Sequence, residues 1–303
     1  MKKFLLFFVT MMICISAAWT QQFSAINNDG KTIYYSVIDS ATSQVAVVES
    51  PDSYCGTINI PASVEHNGTT YSVTAIGESA FAWCNELIKV TLPNSITQIG
   101  ESAFWICEEL TEINFPNSVT TIGESAFFKC MNITSINIPN NIIHIEDHVF
   151  SFCTNIKSFK IPDSVTTIGE CAFQGCTNLK SITLPNSIKT IGNSAFCCSG
   201  LTSIVIPDSV TSLNGETFEA CNDLISVTIP KSVVSIGYCD FFTCPKLKQI
   251  IVNGIKPPQT FKDGLSFGEY PEDIIIYVPC ESLNDYKNDK GWNVFTNIQC
   301  KKD

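Results

Sequence analysis

Cysteine is the residue type that could do the most chemistry in this chain, because 15 of its 303 residues are cysteines. Such a number is typical of a disulfide framework in a secreted chain, and cysteine thiolates also bind metals. Eight of the cysteines recur every 22 or 23 residues and hold one position of a repeat, which we call the cysteine column. They are Cys84, Cys107, Cys130, Cys153, Cys176, Cys198, Cys221 and Cys244.

A column of equivalent cysteines predicts buried free thiols rather than disulfides. Neighbouring members point the same way, which suits disulfide geometry poorly, and a free cysteine packs as a small hydrophobic residue. Cys197 competes with Cys198 for the column, because that repeat lacks one residue. We expect Cys55 to lie in the core as well.

The remaining cysteines leave alternatives open. Cys280 and Cys300 lie in the same terminal segment and either pair or stay reduced, and nothing in the sequence fixes the state of Cys171 or Cys239. The repeated cysteines form no C-x-x-C motif and have no histidine partner within the repeat. The sequence therefore predicts no structural zinc.

Histidine offers a second pattern of interest. His144 and His148 are four residues apart, with Glu146 and Asp147 between them, whereas metalloproteases use H-E-x-x-H on a helix. The order here is H-I-E-D-H, and both histidines fall at variable positions of the repeat, so we interpret them as solvated surface residues. The chain has no G-x-S-x-G motif and no P-loop. We therefore expect no catalytic residue, no cofactor, no metal ligand and no enzymatic activity.

The repeat itself predicts the architecture. Eight phenylalanines recur at the same period as the cysteines, and a period in this range indicates a stacked solenoid. They are Phe81, Phe104, Phe127, Phe150, Phe173, Phe196, Phe218 and Phe241. We expect an α/β repeat solenoid, a right-handed leucine-rich repeat with units of about 23 residues, parallel strands, and caps at both ends.

Each unit predicts one short strand, a turn and a tight loop. Apolar residues two apart, such as Ile113 and Phe115, share one face of the strand, and the following proline ends it. A glycine such as Gly123 suggests a turn with positive φ, and Asn214 can replace it there. The stretch that follows, E-S-A-F-x-x-C in most units, predicts a helical or 3₁₀ turn. Glu146 marks the least regular unit, and the 22-residue step near Cys198 predicts a local irregularity.

The flanks divide the chain into four parts. Residues 1–20 have two lysines, an apolar run and small residues, as in a secretory signal peptide. A lipoprotein interpretation through Cys14 ranks second. We predict an N-terminal β cap at 21–55, the solenoid at 56–252 with a hairpin insertion at 64–73, and a C-terminal cap at 253–303. Asn67-Gly68 is the hairpin turn signal.

Charge limits the partners. The formal net charge is −11, and removing the two lysines of the signal segment would leave −13. Nucleic acids and anionic lipids attract lysine and arginine, so an acidic chain predicts neither as a partner. No segment after the signal is long and apolar enough to span a membrane.

The unit I-P-x-S-V-T-x-I-G-x-x-A-F-x-x-C-x-x-L resembles the BspA-like leucine-rich repeat family over residues 56–252. The chain is similar to secreted or surface proteins of Bacteroidales, and similar repeats occur in some parasitic protists. The resemblance implies adhesion to host proteins for some members. It supplies no catalytic residue and fixes no ligand.

The positions between the core columns are the candidate binding surface. We expect a secreted or cell-surface protein (or a periplasmic one) that binds proteins or glycans outside the cell. The alternative is a structural or periplasmic repeat protein without a host ligand. The candidate residues are Lys89, Thr91, Glu112, Asn114, Asn137, Lys160 and Thr183 on the outer strand face, with the aromatic residues Trp105 and Phe128. Trp83 and Phe152 lie at neighbouring variable positions.

Overall fold

The computed structural model describes residues 21–261, 266–267 and 274–301; the predicted signal peptide at 1–20 lies outside them. The chain is a β-solenoid of about nine turns, which we call rungs, each about 23 residues long. Parallel strands of successive rungs stack on one another, as predicted. Helix content is low, so the strands and their connecting turns form most of the surface.

Most rungs contribute two strands, so the prediction of one strand per unit is wrong. The first strand of each rung belongs to the broad sheet, whose members pair in parallel with several breaks. Its strands are β4 (Gly56–Asn59), β7 (Leu87–Thr91), β9 (Glu112–Asn114), β12 (Ser158–Lys160), β14 (Ser181–Thr183), β16 (Ser203–Val205), β17 (Ser226–Ile229), β19 (Gln249–Val252), β21 (Ile275–Val278) and β22 (Asn297–Cys300).

The second strand of each rung belongs to the narrow sheet, where most strands have only two residues. Such strands are too short to show an alternating pattern, which explains why the sequence did not predict them. They are β6 (Thr69–Ile76), β8 (Gln98–Ile99), β10 (Thr121–Ile122), β11 (His144–Ile145), β13 (Thr167–Ile168), β15 (Thr190–Ile191), β18 (Ser235–Ile236) and β20 (Gln259–Thr260).

The N-terminal end of the narrow sheet is covered by antiparallel strands. β1 (Gln22–Ile26), β2 (Thr32–Asp39) and β3 (Gln44–Val48) form a meander, and β3 pairs in parallel with β6. β5 (Ser63–His66) forms an antiparallel hairpin with β6. Asn67 and Gly68 make its turn with φ of 51° and 76°, as an Asn-Gly hairpin turn requires. The hairpin shields the sheet edge of the first rung.

A compact cap closes the C-terminal end. It contains a 3₁₀ helix (Cys280–Ser282), the helix α1 (Leu283–Asn288) and the last two strands of the broad sheet. Trp292 is fully buried there, and its indole N–H donates to the Pro258 carbonyl at 2.9 Å. Cys280 and Cys300 form a disulfide, so of the two alternatives the paired one holds.

The phenylalanine column forms the axis of the core. All eight rings are buried, and successive ring centroids lie 4.9 to 5.8 Å apart in stacked geometry. Tyr54 packs on Phe81 at one end of the column, and Phe267 packs on Phe241 at the other. Burying one such ring contributes about 2–3 kcal/mol. The column ties every rung to its neighbours.

The cysteine column is a row of buried free thiols, as predicted, with one correction at Cys198. The S–H groups of Cys107, Cys130 and Cys153 each donate to a phenylalanine carbonyl of the preceding rung, at 3.0 to 3.1 Å. Burial raises the pKa of Cys176 to about 12, so this thiol stays protonated and unreactive at neutral pH.

Ser199, not Cys198, occupies the column in the short rung. Ser199 is 3% exposed, and its hydroxyl lies 3.3 Å from the sulfur of Cys221, whereas Cys198 is exposed. The missing residue is lost from the surface turn after the column, because the core positions must keep their register. Cys55 is exposed, so its predicted core position is also wrong, and Tyr54 is the buried residue there.

The glycine position serves close approach between rungs rather than positive φ. A Cβ on Gly100 would lie 2.6 Å from the backbone of Gly77 and Glu78 in the rung before. The left-handed residues come later in each rung, at positions such as Ser102 (φ 53°) and Ile106 (φ 57°). Both the positive-φ prediction for this glycine position and the corresponding one for Asn214 are therefore wrong.

The segment after the glycine forms consecutive turns, not a helix, and we call this side of the solenoid the turn face. Three backbone hydrogen bonds join each pair of neighbouring rungs here from Ser79 to Phe242. Ser102, Phe104 and Ile106, for example, donate their amide N–H groups to carbonyls of the next rung at 2.8 Å. The turn face is thus a third hydrogen-bonded side of the stack.

Candidate functional site

The seven predicted strand residues do share one surface, the outer face of the broad sheet. Lys89 lies beside Glu112 and Thr91 beside Asn114 in the pairing of β7 with β9. Lys160 lies beside Thr183 in the pairing of β12 with β14. Asn137 joins this row through a bridge to Lys160. The structure therefore brings the predicted residues together in two groups, separated by a break between Asn114 and Asn137.

The charges on this face are largely paired. The Lys89 ammonium donates to Glu112 at 2.9 Å, and Asn114 donates its amide to the same carboxylate at 2.8 Å. These hydrogen bonds, with the Lys89 one the larger, lower the pKa of Glu112. The pair is exposed and contributes little to stability. What remains on the face is a small, polar and nearly neutral platform.

A groove of about 510 Å³ continues this face toward the C-terminus. It is lined by Thr183, Val205 and Thr228 along one row, and by Pro207 and Pro230 at the rim. Val205 is 64% exposed on this face. Of the predicted residues only Thr183 reaches this groove.

Trp105 and Phe128 lie on the turn face, apart from the broad sheet. Together with Trp83 and Phe152 they form a continuous aromatic cluster over four successive rungs, which we call the aromatic ridge. Ring centroids along the ridge are 4.7, 6.0 and 5.7 Å apart. Trp83 is 53% exposed and the other three are partly exposed. The Lys129 ammonium lies 5.6 Å from the ring centroid of Phe128.

A row of acidic residues lies beside the glycine positions, along the narrow sheet. Glu78, Glu101 and Glu124 follow the glycine in successive rungs, and with Glu146 they line a groove of about 490 Å³ on the narrow sheet. All four are exposed, as solvated carboxylates usually are.

His148 lies next to ionisable residues of the following rung. One ligand atom each of His148, Glu170 and Cys171 lies within 4.8 Å of the other two. Burial, and next the negative charge of Glu170, raise the pKa of the Cys171 thiol. His144 is exposed on β11 and is not part of the cluster. The sequence interpretation of His148 as a solvated residue missed these neighbours, because they come from the next rung. Comparing equivalent positions of adjacent repeats would have found them.

No helix among the residues described is long and apolar enough to cross a membrane.

Comparison with solved structures agrees with this fold. A leucine-rich cell surface protein from Faecalibacterium prausnitzii is 21% identical with a TM-score of 0.53, covering 93% of this chain and 95% of that one. A leucine-rich repeat protein from Bacteroides ovatus is 25% identical (TM-score 0.48; 84% and 78% covered). The pneumococcal vaccine antigen PcpA is 17% identical (TM-score 0.48; 93% and 99% covered). The first of these supports the fold alone. Curated proteins gave no match.

The family model for the BspA type leucine-rich repeat region matches six copies, over residues 61–169 and 144–257. These ranges contain the rungs that carry the phenylalanine and cysteine columns, the broad sheet from β7 to β19, and the aromatic ridge. The chain belongs to the BspA-type leucine-rich repeat family.

Proposed function

We propose that this chain is a secreted or cell-surface binding protein, without enzymatic activity, that engages protein or glycan partners such as host adhesion targets. The family has a scaffold fold, and solenoids of this kind present broad surfaces rather than deep pockets. The grooves described above are open and shallow, and the nucleophile motifs of common hydrolases are missing from the sequence. Binding through an extended surface suits these features best.

The aromatic ridge is the observation that carries the proposal. Trp83, Trp105, Phe128 and Phe152 leave aromatic area in contact with water over four rungs, and contiguous exposed apolar patches mark interaction sites. Tryptophan is enriched among the residues that dominate binding energy. The rungs fix these rings against each other, so little side-chain entropy is lost when a partner binds.

The broad sheet supplies a second surface, more polar than the ridge. Its candidate residues are hydrogen-bonded to one another or point into water, as in the Lys89–Glu112 pair. Rim charges of this kind affect association rates and specificity more than affinity. We therefore assign affinity to the ridge and a supporting role to Lys89, Lys160 and their neighbours.

The test is binding of the purified full chain to immobilised host matrix proteins and to a glycan array. A ridge variant, Trp83→Ser with Trp105→Ser, should lose about 30-fold in affinity for any partner found, since hot-spot truncations cost about 2 kcal/mol or more. A sheet variant, Lys89→Ala with Lys160→Ala, is the matched control and should lose less than about threefold. Equal binding by the ridge variant and the unchanged chain would remove the ridge from the proposal.

Location is tested separately. Fractionation of the source cells, with proteolysis of intact cells, distinguishes a surface protein from a periplasmic one. Degradation on intact cells supports the proposal. Protection until the envelope is opened supports the alternative, a structural repeat protein without a host ligand. Mass measurement of the mature chain shows whether residues 1–20 are removed.

A further inference from the structure

Three side chains of different chemistry meet between two neighbouring rungs. They are the imidazole of His148, the carboxylate of Glu170 and the thiol of Cys171, whose ligand atoms all lie within 4.8 Å of one another. His148 is partly exposed, Glu170 is exposed and Cys171 is buried. The cluster is therefore open to solvent at His148 and Glu170 and shielded from solvent at Cys171.

The backbone holds these residues in place before any ligand binds. His148 and Cys171 occupy the same position of successive rungs, with φ of 57° and 53°. The His148 amide N–H donates to the Glu170 carbonyl at 2.8 Å, and the Cys171 amide N–H donates to the Asn193 carbonyl at 2.9 Å. The Ser151 hydroxyl donates to the Cys171 carbonyl. Ligands fixed by such supporting contacts need little reorganisation to bind.

This pair of rungs departs from the repeat's own pattern. Four other rungs have serine at the position of His148 and Cys171, namely Ser79, Ser102, Ser125 and Ser194. Two adjacent rungs thus replace a hydroxyl with an imidazole and a thiol. The fold does not need these side chains, because serine satisfies the same left-handed turn elsewhere in the chain.

The donor set matches a metal ion of the zinc class. Imidazole nitrogen, thiolate sulfur and carboxylate oxygen are the protein ligands of Zn²⁺, with bonds of about 2.0–2.3 Å. Tetrahedral bonds of that length separate the ligand atoms by roughly 3.3–3.8 Å. Rotation of the exposed Glu170 side chain can shorten its own distances to the other two ligand atoms. Asp147 adds a carboxylate close by, where it accepts a hydrogen bond from the Glu170 amide at 2.6 Å.

We propose that His148, Glu170 and Cys171 bind one divalent transition-metal ion, with zinc the best chemical match. The proposal is independent of the proposed binding function. Three protein ligands leave one coordination position for water or a ligand from outside. The ion would join the His148 rung to the Cys171 rung through side chains, in addition to the three backbone hydrogen bonds between these rungs on the turn face.

The test is zinc binding by the full chain, stripped of metal and kept reduced with a phosphine, in competition with a chromophoric chelator. We expect one zinc per chain at this site. His148→Ser and Cys171→Ser each install the residue that the repeat uses elsewhere, so folding is retained, and each should weaken zinc binding at least about tenfold. Glu170→Gln should weaken it less. Zinc should also raise the midpoint of thermal unfolding of the unchanged chain and not of the two serine variants.

Two controls separate this site from adventitious binding by thiols. Cys239→Ser removes a buried cysteine from the same repeat position with no histidine in the rung before, and should leave zinc affinity unchanged. Cys197→Ser with Cys198→Ser removes the adjacent pair, whose sulfurs lie 3.5 Å apart. Cobalt in place of zinc should give a thiolate charge-transfer band that Cys171→Ser abolishes. Zinc binding that survives His148→Ser unchanged, or that is lost only in the Cys197/Cys198 variant, would overturn the proposal, as would no binding at all.

Discussion

The regular hydrogen bonding between rungs is interrupted at two junctions. Side chains replace the missing hydrogen bonds at one of them and not at the other, and we call such a replacement a repair. In regular rungs the amide of the glycine position donates to a carbonyl one rung before, as Gly100 does to Ile76 at 2.8 Å. At the first junction Glu146 takes the glycine position, and within the described chain no hydrogen bond joins its amide to Ile122. At the second, Asn214 takes it, and its side-chain amide donates to Ile191 at 2.6 Å.

The second junction has a further repair in the rung that follows. Gly237 lacks the usual partner one rung before, and it donates its N–H to the carboxylate of Asp240 at 2.6 Å. The Thr217 amide donates to the same carboxylate at 3.0 Å. Asp240 is fully buried where most rungs have alanine. A buried carboxylate thus satisfies two amides that the irregular rung leaves without partners.

Side-chain chemistry at the glycine position decides whether a donor replaces the missing backbone hydrogen bond. The second junction lacks one residue, yet asparagine carries N–H donors and can replace the backbone donor. The first junction has the full 23 residues, but an ionised glutamate only accepts hydrogen bonds and cannot serve a carbonyl. Both sheets are broken at each of the two junctions, and at the first a gap too narrow for water also lies beside Ile122, Ile138 and Glu146.

The largest effect should come from breaking the repair at Asp240. Asp240→Ala leaves the amides of Gly237 and Thr217 buried without an acceptor, and each such loss costs about 1–3 kcal/mol. We expect a loss of about 3 kcal/mol in the free energy of unfolding, measured by urea denaturation. Asp240→Asn keeps one acceptor and should lose about half as much. Equal stability of the alanine variant would show that the repair is unnecessary.

The loss of unfolding free energy in the Asp240→Ala variant, which we call its deficit, should also depend on pH. Burial raises the pKa of Asp240, against hydrogen bonds from Thr217 and Gly237 that lower it. The folded state therefore holds the proton more tightly than the unfolded state, and this contribution to stability is lost as pH rises through the folded pKa. The deficit should be larger at about pH 4 than at about pH 7. A deficit that grows with pH would mean that folding lowers the pKa of Asp240 instead of raising it.

A smaller effect is expected from crowding a regular junction. Gly100→Ala places a Cβ 2.6 Å from the backbone of Gly77 and Glu78, so the two rungs must separate. Overpacking of this kind costs about 1–3 kcal/mol. Glu101→Ala, at the next and exposed position, is the control and should stay within about 0.5 kcal/mol of the unchanged chain. If Gly100→Ala leaves the free energy of unfolding unchanged, regular junctions can open as the first one does.

Restoring glycine at position 146 of the first junction should have the smallest effect on stability. It should also have the most clearly local effect on structure. Glu146→Gly lets the rungs approach, and the hydrogen bond gained, about 1 kcal/mol, offsets the backbone entropy of glycine. Hydrogen exchange at residue 146 should slow while the midpoint of urea unfolding changes little. Glu124→Gly removes a charge one rung before without filling the glycine position, and should leave the exchange unchanged.

The columns could be predicted from the sequence because each repeats one residue type at one spacing. The phenylalanines and most of the cysteines lie where the period places them. Cys198 was misplaced because residue type was matched there and not the three-residue offset from Phe196. The role of the glycines was misread because close approach between rungs leaves no signal within a single repeat.

The candidate surfaces were less predictable for a related reason. Alternation along a strand shows that Lys160 and Thr183 point outward, but not that Val205 and Pro207 form a groove beside them. The proximity of His148 to Cys171 is visible only when equivalent positions of adjacent repeats are compared, because the two residues lie in different rungs.

The turn face makes the solenoid stiffer on one side than on the other two. Its hydrogen bonds continue across both interrupted junctions: Ser125, Phe127 and Lys129 still donate to the next rung at the first, and Ser194, Phe196 and Cys198 at the second. At the first junction the backbone hydrogen bonds of the described residues therefore continue on the turn face and are missing from the two sheets. Such a joint resists stretching along the turn face and bends most easily by spreading the two sheets. Bending there would leave the spacing of the aromatic ridge unchanged, because the Phe128–Phe152 contact crosses this junction on the joined side.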